Sequence, residues 1–311
     1  MKDVIPEIDR KLLMQELNDD TFIRRTNNGN KEIFVVDNHN APNVVKEIGR
    51  LREITFRQAG GGTGKEIDID EYDVEENPFK QLVVWDPKQK EIVGGYRYKE
   101  GREILKTLDG KPNTPTSHLF CLCDKFIEEY LPVTIELGRS FVQPNYQPNY
   151  DLRKGLYSLD NLWDGLGCLT VDYSYVEHFF GKITMYPSFN SEARDFILYF
   201  LNLYFKDTKG LIEAIYPISY TYDVDHLKSI FGGDDYLQDY KALNHKVRAL
   251  GENIPPLVNS YMNLSPTMKT FGTSINKRFG DVEETGILIR IADIYPAKKD
   301  RHIHNIIRKR I

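Results

Sequence analysis

Apolar residues recur along the chain at two spacings, one typical of amphipathic helices and one typical of half-buried strands. The helical spacing predicts helices at residues 7–17, 43–57, 154–170, 191–206, 236–249 and 255–263. Alternating or continuous apolar runs predict strands at residues 32–37, 81–85, 92–98, 132–142, 173–185, 267–273 and 285–293. Because helices are interspersed with antiparallel hairpins, we predict an α/β fold of the α+β kind, with a mixed rather than purely parallel sheet.

Composition narrows the class of protein. The 41 basic and 46 acidic residues give a net charge of −5, which argues against a nucleic-acid-binding protein with a basic face. Cys121, Cys123 and Cys168 do not suggest a disulfide framework, and they lack the partners of a zinc site, so we expect no metal. The chain shows no signal peptide and no apolar run of membrane-spanning length. We therefore expect a cytoplasmic protein and leave open a peripheral contact with the inner membrane.

A glycine-rich segment from Ala59 to Glu66 invites comparison with a phosphate-binding P-loop. That motif needs glycine at its first position and serine or threonine after its lysine, where this chain has Ala59 and Glu66. The segment also follows a predicted helix, whereas a P-loop follows a strand. We interpret it instead as a mobile substrate loop, in which glycine lowers the steric cost of unusual backbone angles.

Carboxylates follow this loop at Asp68, Asp70 and Asp73. In an extended segment Asp68 and Asp70 share one face, where they could bind an ammonium group, fix an arginine or hold a divalent cation. A solvated acidic loop is the alternative. The predicted helix at 43–57 carries Arg52, and the second hairpin strand ends near Arg97. These arginines and the acidic loop would together form a pocket with both positive and negative charges, which suits a zwitterionic amino acid.

A carboxylate stands in the middle of the predicted strand at 132–142. If it is buried, the carboxylate of Glu136 needs a charged or hydrogen-bonding partner, or a functional role. Arg139 would face the other side of a regular strand, but a bulge at Gly138 would bring both side chains to one side, and bulges often lie beside active sites. A purely structural Glu–Arg pair is the alternative.

Two clusters of cations suggest anionic partners. Arg153 and Lys154 precede a predicted helix, whose N-terminal amides attract anions such as phosphate. The C-terminal segment contains Lys298, Lys299, Arg301, Arg308, Lys309 and Arg310. These cations could attract an acidic protein or anionic lipid, and solvated surface charge is the alternative for both clusters.

Several segments, taken in order, resemble one family. They read LREITFR, IDIDEYD, FKQLVVWD, IVGGYRY, IELGRSFV and LDNLWDGL, followed by IPPLVNSYMNLSPTMKTFGTSINKRFGDVEETGILIRI. This ordered set resembles the hemolysin-like N-acyltransferases of the GNAT superfamily, which include ornithine and glycine N-acyltransferases and are related to acyl-homoserine lactone synthases. The resemblance spans residues 8–293. It implies a GNAT core over residues 1–190, completed by a C-terminal α/β extension over residues 191–311.

The resemblance also implies roles for individual residues. Glu136 and Arg139 match the family's Glu-x-x-Arg, with Glu136 as the general base and Arg139 orienting it or binding the acceptor. The residues expected to bind the acceptor substrate are Arg52, Phe56, Asp68, Asp70, Asp73 and Arg97. The residues expected to contact the phosphopantetheine of the acyl donor are Ser140, Phe141, Val142, Arg153, Lys154 and Gly155.

The usual pyrophosphate loop of GNAT enzymes is absent, which favours acyl carrier protein over CoA as the carrier of the thioester. By resemblance we predict that a fatty acyl group passes from acyl carrier protein to the amine of a small amino acid in aminolipid synthesis. Glycine is preferred, and ornithine is next. We expect no tightly bound cofactor. Two alternatives stay open: a signal synthase of the acyl-homoserine lactone type, and a non-enzymatic membrane-associated protein.

Overall fold

The structure is a computed structural model and describes residues 1–304. These residues fall into two compact units, and the chain leaves and re-enters each of them. Unit 1 comprises residues 1–104, 133–177 and 296–304, and unit 2 comprises residues 105–132 and 178–295. The predicted division at residue 190 follows neither unit and remains a prediction.

The elements are numbered in chain order. The strands are β1 (Phe22–Arg25), β2 (Glu32–Val36), β3 (Lys80–Asp86), β4 (Glu91–Glu100), β5 (Phe120–Leu122), β6 (Thr134–Val142), β7 (His178–Met185), β8 (Ile212–Ala214), β9 (Lys269–Asn276) and β10 (Val282–Arg290). The α-helices are α1 (Arg10–Glu16), α2 (Pro42–Gln58), α3 (Glu71–Val74), α4 (Leu152–Gly155), α5 (Ser158–Asp172), α6 (Ser191–Phe205), α7 (Val224–Ile230), α8 (Tyr236–Ala249), α9 (Pro256–Met262) and α10 (Pro296–Lys299). The predicted α/β class is confirmed.

Unit 1 is built on antiparallel strands in the order β1-β2-β3-β4-β6. The predicted hairpin of β3 and β4 is confirmed. Glycines at the centre of β4 let its neighbours approach closely, since a Cβ atom at Gly94 would lie 2.3 Å from the carbonyl oxygen of Phe141. Helix α2 contacts β4 and β6, while α5 contacts β3 and β4. Strand β1 was not predicted, because its short sequence FIRR forms an edge and shows no clear alternation.

The start of α2 differs from the predicted start. The helix begins at Pro42, and its N-cap, Ala41, makes no side-chain hydrogen bond to the first turn. Asn43, the first residue of the predicted helix and a residue type that often caps helices, lies inside the helix instead. A carboxylate from α1 takes over the task of a cap. Glu16 accepts hydrogen bonds from the backbone amides of Asn43 and Val44 at 3.2 and 2.8 Å. Long-range contacts can thus replace a local cap in satisfying first-turn amides.

Unit 2 contains an antiparallel sheet in the order β7-β10-β9 and a second pair formed by β5 and β8. The predicted helices α6, α8 and α9 are confirmed, and α6 packs on β9 and α8. Strand β5 comes from residues 105–132, which the chain inserts between β4 and β6. None of the helices within residues 1–304 is long and apolar enough to cross a bilayer.

The C-terminal segment returns to unit 1. Arg301 contacts Asp160 at 2.7 Å, and the buried ring of His302 lies 2.8 Å from Asp164. The helix predicted at 154–170 is therefore the anchoring surface for this segment, and it is divided into α4 and α5. The tail cations Arg308, Lys309 and Arg310 lie outside the described residues.

Candidate active site

Charged side chains from separate segments of unit 1 meet in what we call the ionic cluster. Its members are Arg52, Asp68, Asp70, Asp73, Arg97 and Arg139. All of them were singled out from the sequence. The acidic segment, which follows the glycine-rich loop, therefore holds arginines rather than forming a freely solvated loop.

The inner part of the ionic cluster consists of Arg52, Asp68, Asp73 and Arg97, all buried. Arg52 Nη2 and Arg97 Nη1 lie 2.8 and 3.0 Å from the same oxygen of Asp73, its Oδ2. Arg52 Nε lies 3.2 Å from Asp68 Oδ2. Gln81 Nε2 donates to the other Asp73 oxygen at 2.8 Å. Two cations thus face two anions, which is the condition under which buried charges are tolerated.

The titration of this inner part follows from its geometry. Burial alone would raise the pKa of Asp73, but the charges of Arg52 and Arg97 hold it well below its ordinary value. Burial opposes the charge of Arg97, yet Asp73 and Asp70 raise its pKa above the ordinary value. Asp73 and Arg97 therefore stay ionised at neutral pH and act as fixed charges rather than as proton carriers.

The outer edge of the ionic cluster consists of Asp70 and Arg139, whose side chains are 21% and 17% exposed. Arg97 Nη1 holds Asp70 Oδ1 at 2.5 Å, and Asp68 Oδ2 holds Arg139 Nε at 2.9 Å. Between themselves, Arg139 Nη2 and Asp70 Oδ2 are 3.8 Å apart. The inner part thus fixes a cation and an anion side by side at a place that solvent reaches.

Close packing against α2 explains why the acidic segment lies here. A Cβ atom at Gly49 would stand 2.7 Å from Ile69 Cγ1 and 2.8 Å from Ile67 Cγ1. The amide of Asp68 donates to the carbonyl of Gly49 at 3.1 Å. Sequence reasoning did not identify Gly49. Its signal was a glycine in a helix interior, which costs about 0.5–1 kcal/mol relative to alanine and therefore needs a reason.

Helix α3 fixes the positions of the carboxylates of Asp70 and Asp73. Asp70 is its N-cap and accepts from the amide of Tyr72 at 3.1 Å. Asp73 Oδ2 accepts in return from the amide of Asp70 at 3.1 Å. This reciprocal capping box sets the spacing of the two carboxylates before any arginine contacts them.

A bulge in β6 presents Arg139 to the cluster. In the pairing with β4, Phe141 lies opposite Gly95 and Gly138 opposite Arg97, so two residues, Arg139 and Ser140, face one position. Arg139 has φ of 48°, a left-handed conformation that costs a non-glycine residue about 1–2 kcal/mol. The expected bulge is therefore present, one residue beyond Gly138. The contact with Asp68 offsets the strain of the left-handed backbone.

Glu136 lies on the same face of the sheet as the ionic cluster. Glu136 is buried, and it pairs in register with Lys99 of β4. Lys99 is two residues along β4 from Arg97, which pairs with Gly138. Residues two apart on a strand share a face. Burial first, and then nearby carboxylates that include Glu136, raise the pKa of Tyr72 to about 12. Glu136 is therefore an acidic neighbour of α3, beside the bulge that presents Arg139.

The other predicted contact residues lie on the same elements. Phe56 is buried on α2, one turn after Arg52. Phe141 is buried on β6, and Ser140 and Val142 are partly exposed on either side of it. The structure therefore places these residues on elements that carry the cluster, and their contacts with a donor or acceptor stay predictions.

The predicted phosphate site at Arg153 and Lys154 already contains an anion of the protein. Asp151 is the N-cap of α4 and accepts from the amides of both residues, at 2.9 and 3.1 Å. Lys154 Nζ stands 5.2 Å from the ring centre of Tyr146. Gly155 is buried, where a Cβ atom would lie 2.5 Å from a backbone nitrogen. Only the two cationic side chains, and not the helix amides, are thus placed to meet a phosphate.

The glycine-rich loop is organised in a similar way. The buried carboxylate of Glu53 accepts from the amides of Thr63 and Gly64 at 3.0 and 2.8 Å. Arg57 Nε lies 2.7 Å from the same carboxylate. Burial opposes these bonds, but contacts with Thr63 and Arg57 hold the pKa of Glu53 below its ordinary value. An internal anion occupies the position that a phosphate would take in a P-loop, which agrees with rejecting that motif.

Residues 1–304 contain no group of three or more His, Cys, Asp or Glu side chains placed to hold a metal ion.

Comparisons with known proteins bear on the same region. The family model described as "Acetyltransferase (GNAT) domain" matches residues 51–153, a span that contains the whole ionic cluster and Glu136. A solved structure of a CoA-dependent acyl-homoserine lactone synthase covers 48% of this chain and 65% of its own, at 15% identity and a TM-score of 0.30. A likeness of that size supports no argument about function.

Two curated relatives match almost the whole chain. The glycine N(alpha)-acyltransferase of Phocaeicola vulgatus is 54% identical over 309 residues, which are 99% of this chain and 95% of the relative. The protein of the same name from Bacteroides thetaiotaomicron is 53% identical over 307 residues, 99% of this chain and 91% of the relative. The resemblance inferred from the ordered sequence segments and the GNAT fold are thereby confirmed. The chain belongs to the GNAT acyltransferase family of these two enzymes.

Proposed function

We propose that the protein transfers a fatty acyl group from the phosphopantetheine thioester of acyl carrier protein to the amine of glycine. The observation that carries this proposal is the pair of glycine N(alpha)-acyltransferases, which match 99% of the chain. Synthesis of aminolipids is the setting we propose, and ornithine is the second acceptor to consider.

The outer edge of the ionic cluster supports an amino-acid acceptor. Glycine carries a carboxylate and an ammonium group a short distance apart. Arg139 can receive the carboxylate, and Asp70 can receive the ammonium group, because both side chains reach solvent and lie 3.8 Å apart. The buried arginines and carboxylates beneath them are positioning residues, since they hold Asp70 and Arg139 without facing solvent.

The reaction needs a proton acceptor near the amine. We propose that Glu136 removes a proton from the ammonium group, directly or through one water. The freed nitrogen attacks the thioester carbonyl carbon, and an N–C bond forms. A backbone N–H at the bulge of β6 would stabilise the negative charge on the carbonyl oxygen. The attached nitrogen then loses its second proton, the C–S bond breaks, and the departing thiolate takes up a proton, so that the products are an N-acyl amino acid and the free thiol of the carrier.

The donor would lie along β6. Ser140, Phe141 and Val142 are the proposed contacts for the phosphopantetheine arm, and the side chains of Arg153 and Lys154 are the proposed contacts for its phosphate. Because Asp151 occupies the helix amides, this phosphate site rests on side-chain charge alone. That arrangement supports a carrier whose own protein surface adds affinity, which is the reason for preferring acyl carrier protein over acyl-CoA.

The test is a reconstituted assay with purified protein. Long-chain acyl-acyl carrier protein and the matching acyl-CoA are each combined with glycine, with ornithine or with no amino acid, and free thiol and product mass are recorded. We expect the mass of N-acylglycine, formed fastest from the carrier protein. Thiol release that is no faster with glycine than without an amino acid would contradict the proposal.

A further inference from the structure

A short stretch of unit 1 exposes apolar side chains that neither the fold nor the proposed reaction uses. It is the segment 150–157, which contains α4 and its flanks and which we call the exposed segment. Tyr150, Leu152 and Leu156 are 72%, 76% and 65% exposed. Leu152 and Leu156 are four residues apart in continuous helical backbone, so they lie on the same face of one turn.

Such a concentration of exposed apolar surface needs an explanation. Single exposed leucines are ordinary, whereas contiguous apolar patches mark sites of interaction with proteins or membranes. Each of these side chains exposes most of its surface, so they project outward and do not line a groove. They are therefore suited to entering a soft apolar medium.

Charge accompanies the apolar side chains. Arg153 and Lys154 lie between the two leucines, whereas the carboxylate of Asp151 is directed to the amides of the same turn. Leucine and tyrosine beside lysine and arginine are typical of protein segments that lie in the interface of an anionic bilayer. Arg153 and Lys154, which are also the proposed contacts for the donor phosphate, would meet lipid phosphates while no donor is bound, and the apolar side chains would enter the acyl-chain region.

We propose that the exposed segment is a docking surface for an anionic lipid bilayer. The product offers an additional reason, which rests on the proposed function: an N-acyl amino acid has a long apolar chain and one carboxylate, so a bilayer is its natural destination. The exposure and charge of the segment do not depend on that argument. An acidic carrier protein is the competing occupant, and the experiment below separates the two.

The test measures co-sedimentation of the intact protein with vesicles of phosphatidylcholine alone or mixed with phosphatidylglycerol. We expect binding to the anionic vesicles that weakens with added salt. The double variant Leu152→Ser/Leu156→Ser should bind them at least about 100-fold more weakly, because each buried leucine contributes about a tenfold factor or more. Arg153→Gln/Lys154→Gln should bind anionic vesicles about 30-fold more weakly, because each cation near the surface contributes about a fivefold factor.

A matched control comes from unit 2. Leu237 on α8 is 67% exposed and has no part in the exposed segment, so Leu237→Ser should bind vesicles as the wild type does. Wild-type protein that ignores both kinds of vesicle, or a double leucine variant that binds them normally, would overturn the proposal. The proposal would also be overturned if the double leucine variant kept vesicle binding but used acyl-acyl carrier protein more slowly and acyl-CoA at the normal rate, because the segment would then bind the carrier protein. Vesicle binding requires no acyl transfer, so it can succeed or fail independently of the reconstituted assay.

Discussion

The inner part and the outer edge of the ionic cluster are made of the same residue types but occupy different environments. Arg52, Asp73 and their neighbours are buried and form ion pairs with one another. Asp70 and Arg139 reach solvent, and Arg139 does so from a left-handed backbone. The comparison teaches that motif residues can divide their tasks, with buried pairs supporting the fold and exposed pairs available to a substrate. The predictions below test that division.

The largest expected effect belongs to the inner part. Arg97→Ala leaves Asp73 and Asp70 without one of their cations, and removing one partner of a buried ion pair costs about 3–5 kcal/mol of unfolding free energy. Urea denaturation followed by circular dichroism would measure it. The control is Asp70→Asn at the outer edge, for which we expect about 1 kcal/mol or less. Equal losses in the two variants would remove the distinction between the parts.

Acid should act on the same inner part. The pKa of Asp73 is depressed in the folded protein, so its contribution to stability is present above its unfolded pKa of about 3.9 and is lost as pH falls through the folded pKa. We expect the unfolding free energy to fall on acidification below about pH 4. The loss should be smaller in Arg97→Ala, because less charge then opposes the effect of burial on Asp73. A larger loss in the variant would contradict the assigned cause.

The close packing of α2 on the acidic segment predicts a mixed effect. Gly49→Ala introduces a Cβ atom against Ile67 and Ile69, and overpacking of this kind costs about 1–3 kcal/mol. The contact with Gly49 also positions Asp68, which binds Arg139. Displacing this segment should therefore also raise the KM for the acceptor. The control is Gly232→Ala, at a glycine with open space around it and without a left-handed backbone, which tests for general effects of adding a methyl group. An unchanged KM in Gly49→Ala would contradict the idea that this packing contact positions the acceptor site.

The outer edge should affect binding more than stability. Loss of the guanidinium in Arg139→Ala is expected to raise the acceptor KM about tenfold or more, because a charge-assisted contact is removed. Arg139→Gly removes the same group but relieves the left-handed strain, so it should be about 1 kcal/mol more stable than Arg139→Ala. Steady-state kinetics and denaturation of both variants would separate the lost contact from the backbone effect. Two variants of identical stability would argue against strain at this position.

Local patterns predicted much of the fold. Apolar runs at 81–85 and 92–98 identified the hairpin of β3 and β4. The members of the ionic cluster were identified first from their charge and position and then from the ordered resemblance. What could not be predicted depends on contacts distant in sequence. Glu16 replaces a local cap of α2, Glu53 binds amides of the glycine-rich loop, and Asp151 satisfies the helix amides that looked available to phosphate. A single sequence does not say which carboxylate will reach which amide.

The position of the bulge shows the same limit. Glycine at 138 made it the natural place for a kink, since glycine accepts unusual backbone angles without strain. The structure gives the left-handed conformation to Arg139 instead, where contacts with Asp68 and Asp70 compensate. Local preference was outweighed by an ion pair with a segment about 70 residues earlier in the chain.

The central claim, that a carboxylate beside the bulge removes the proton from the acceptor amine, is tested most directly by the turnover of Glu136→Gln with glycine and a saturating acyl donor. The substitution keeps the size of the side chain and removes its basicity. The account predicts a fall in kcat of about 100-fold or more, with the free energy of unfolding essentially retained. A variant that turns over at a rate close to that of the wild type would contradict the claim.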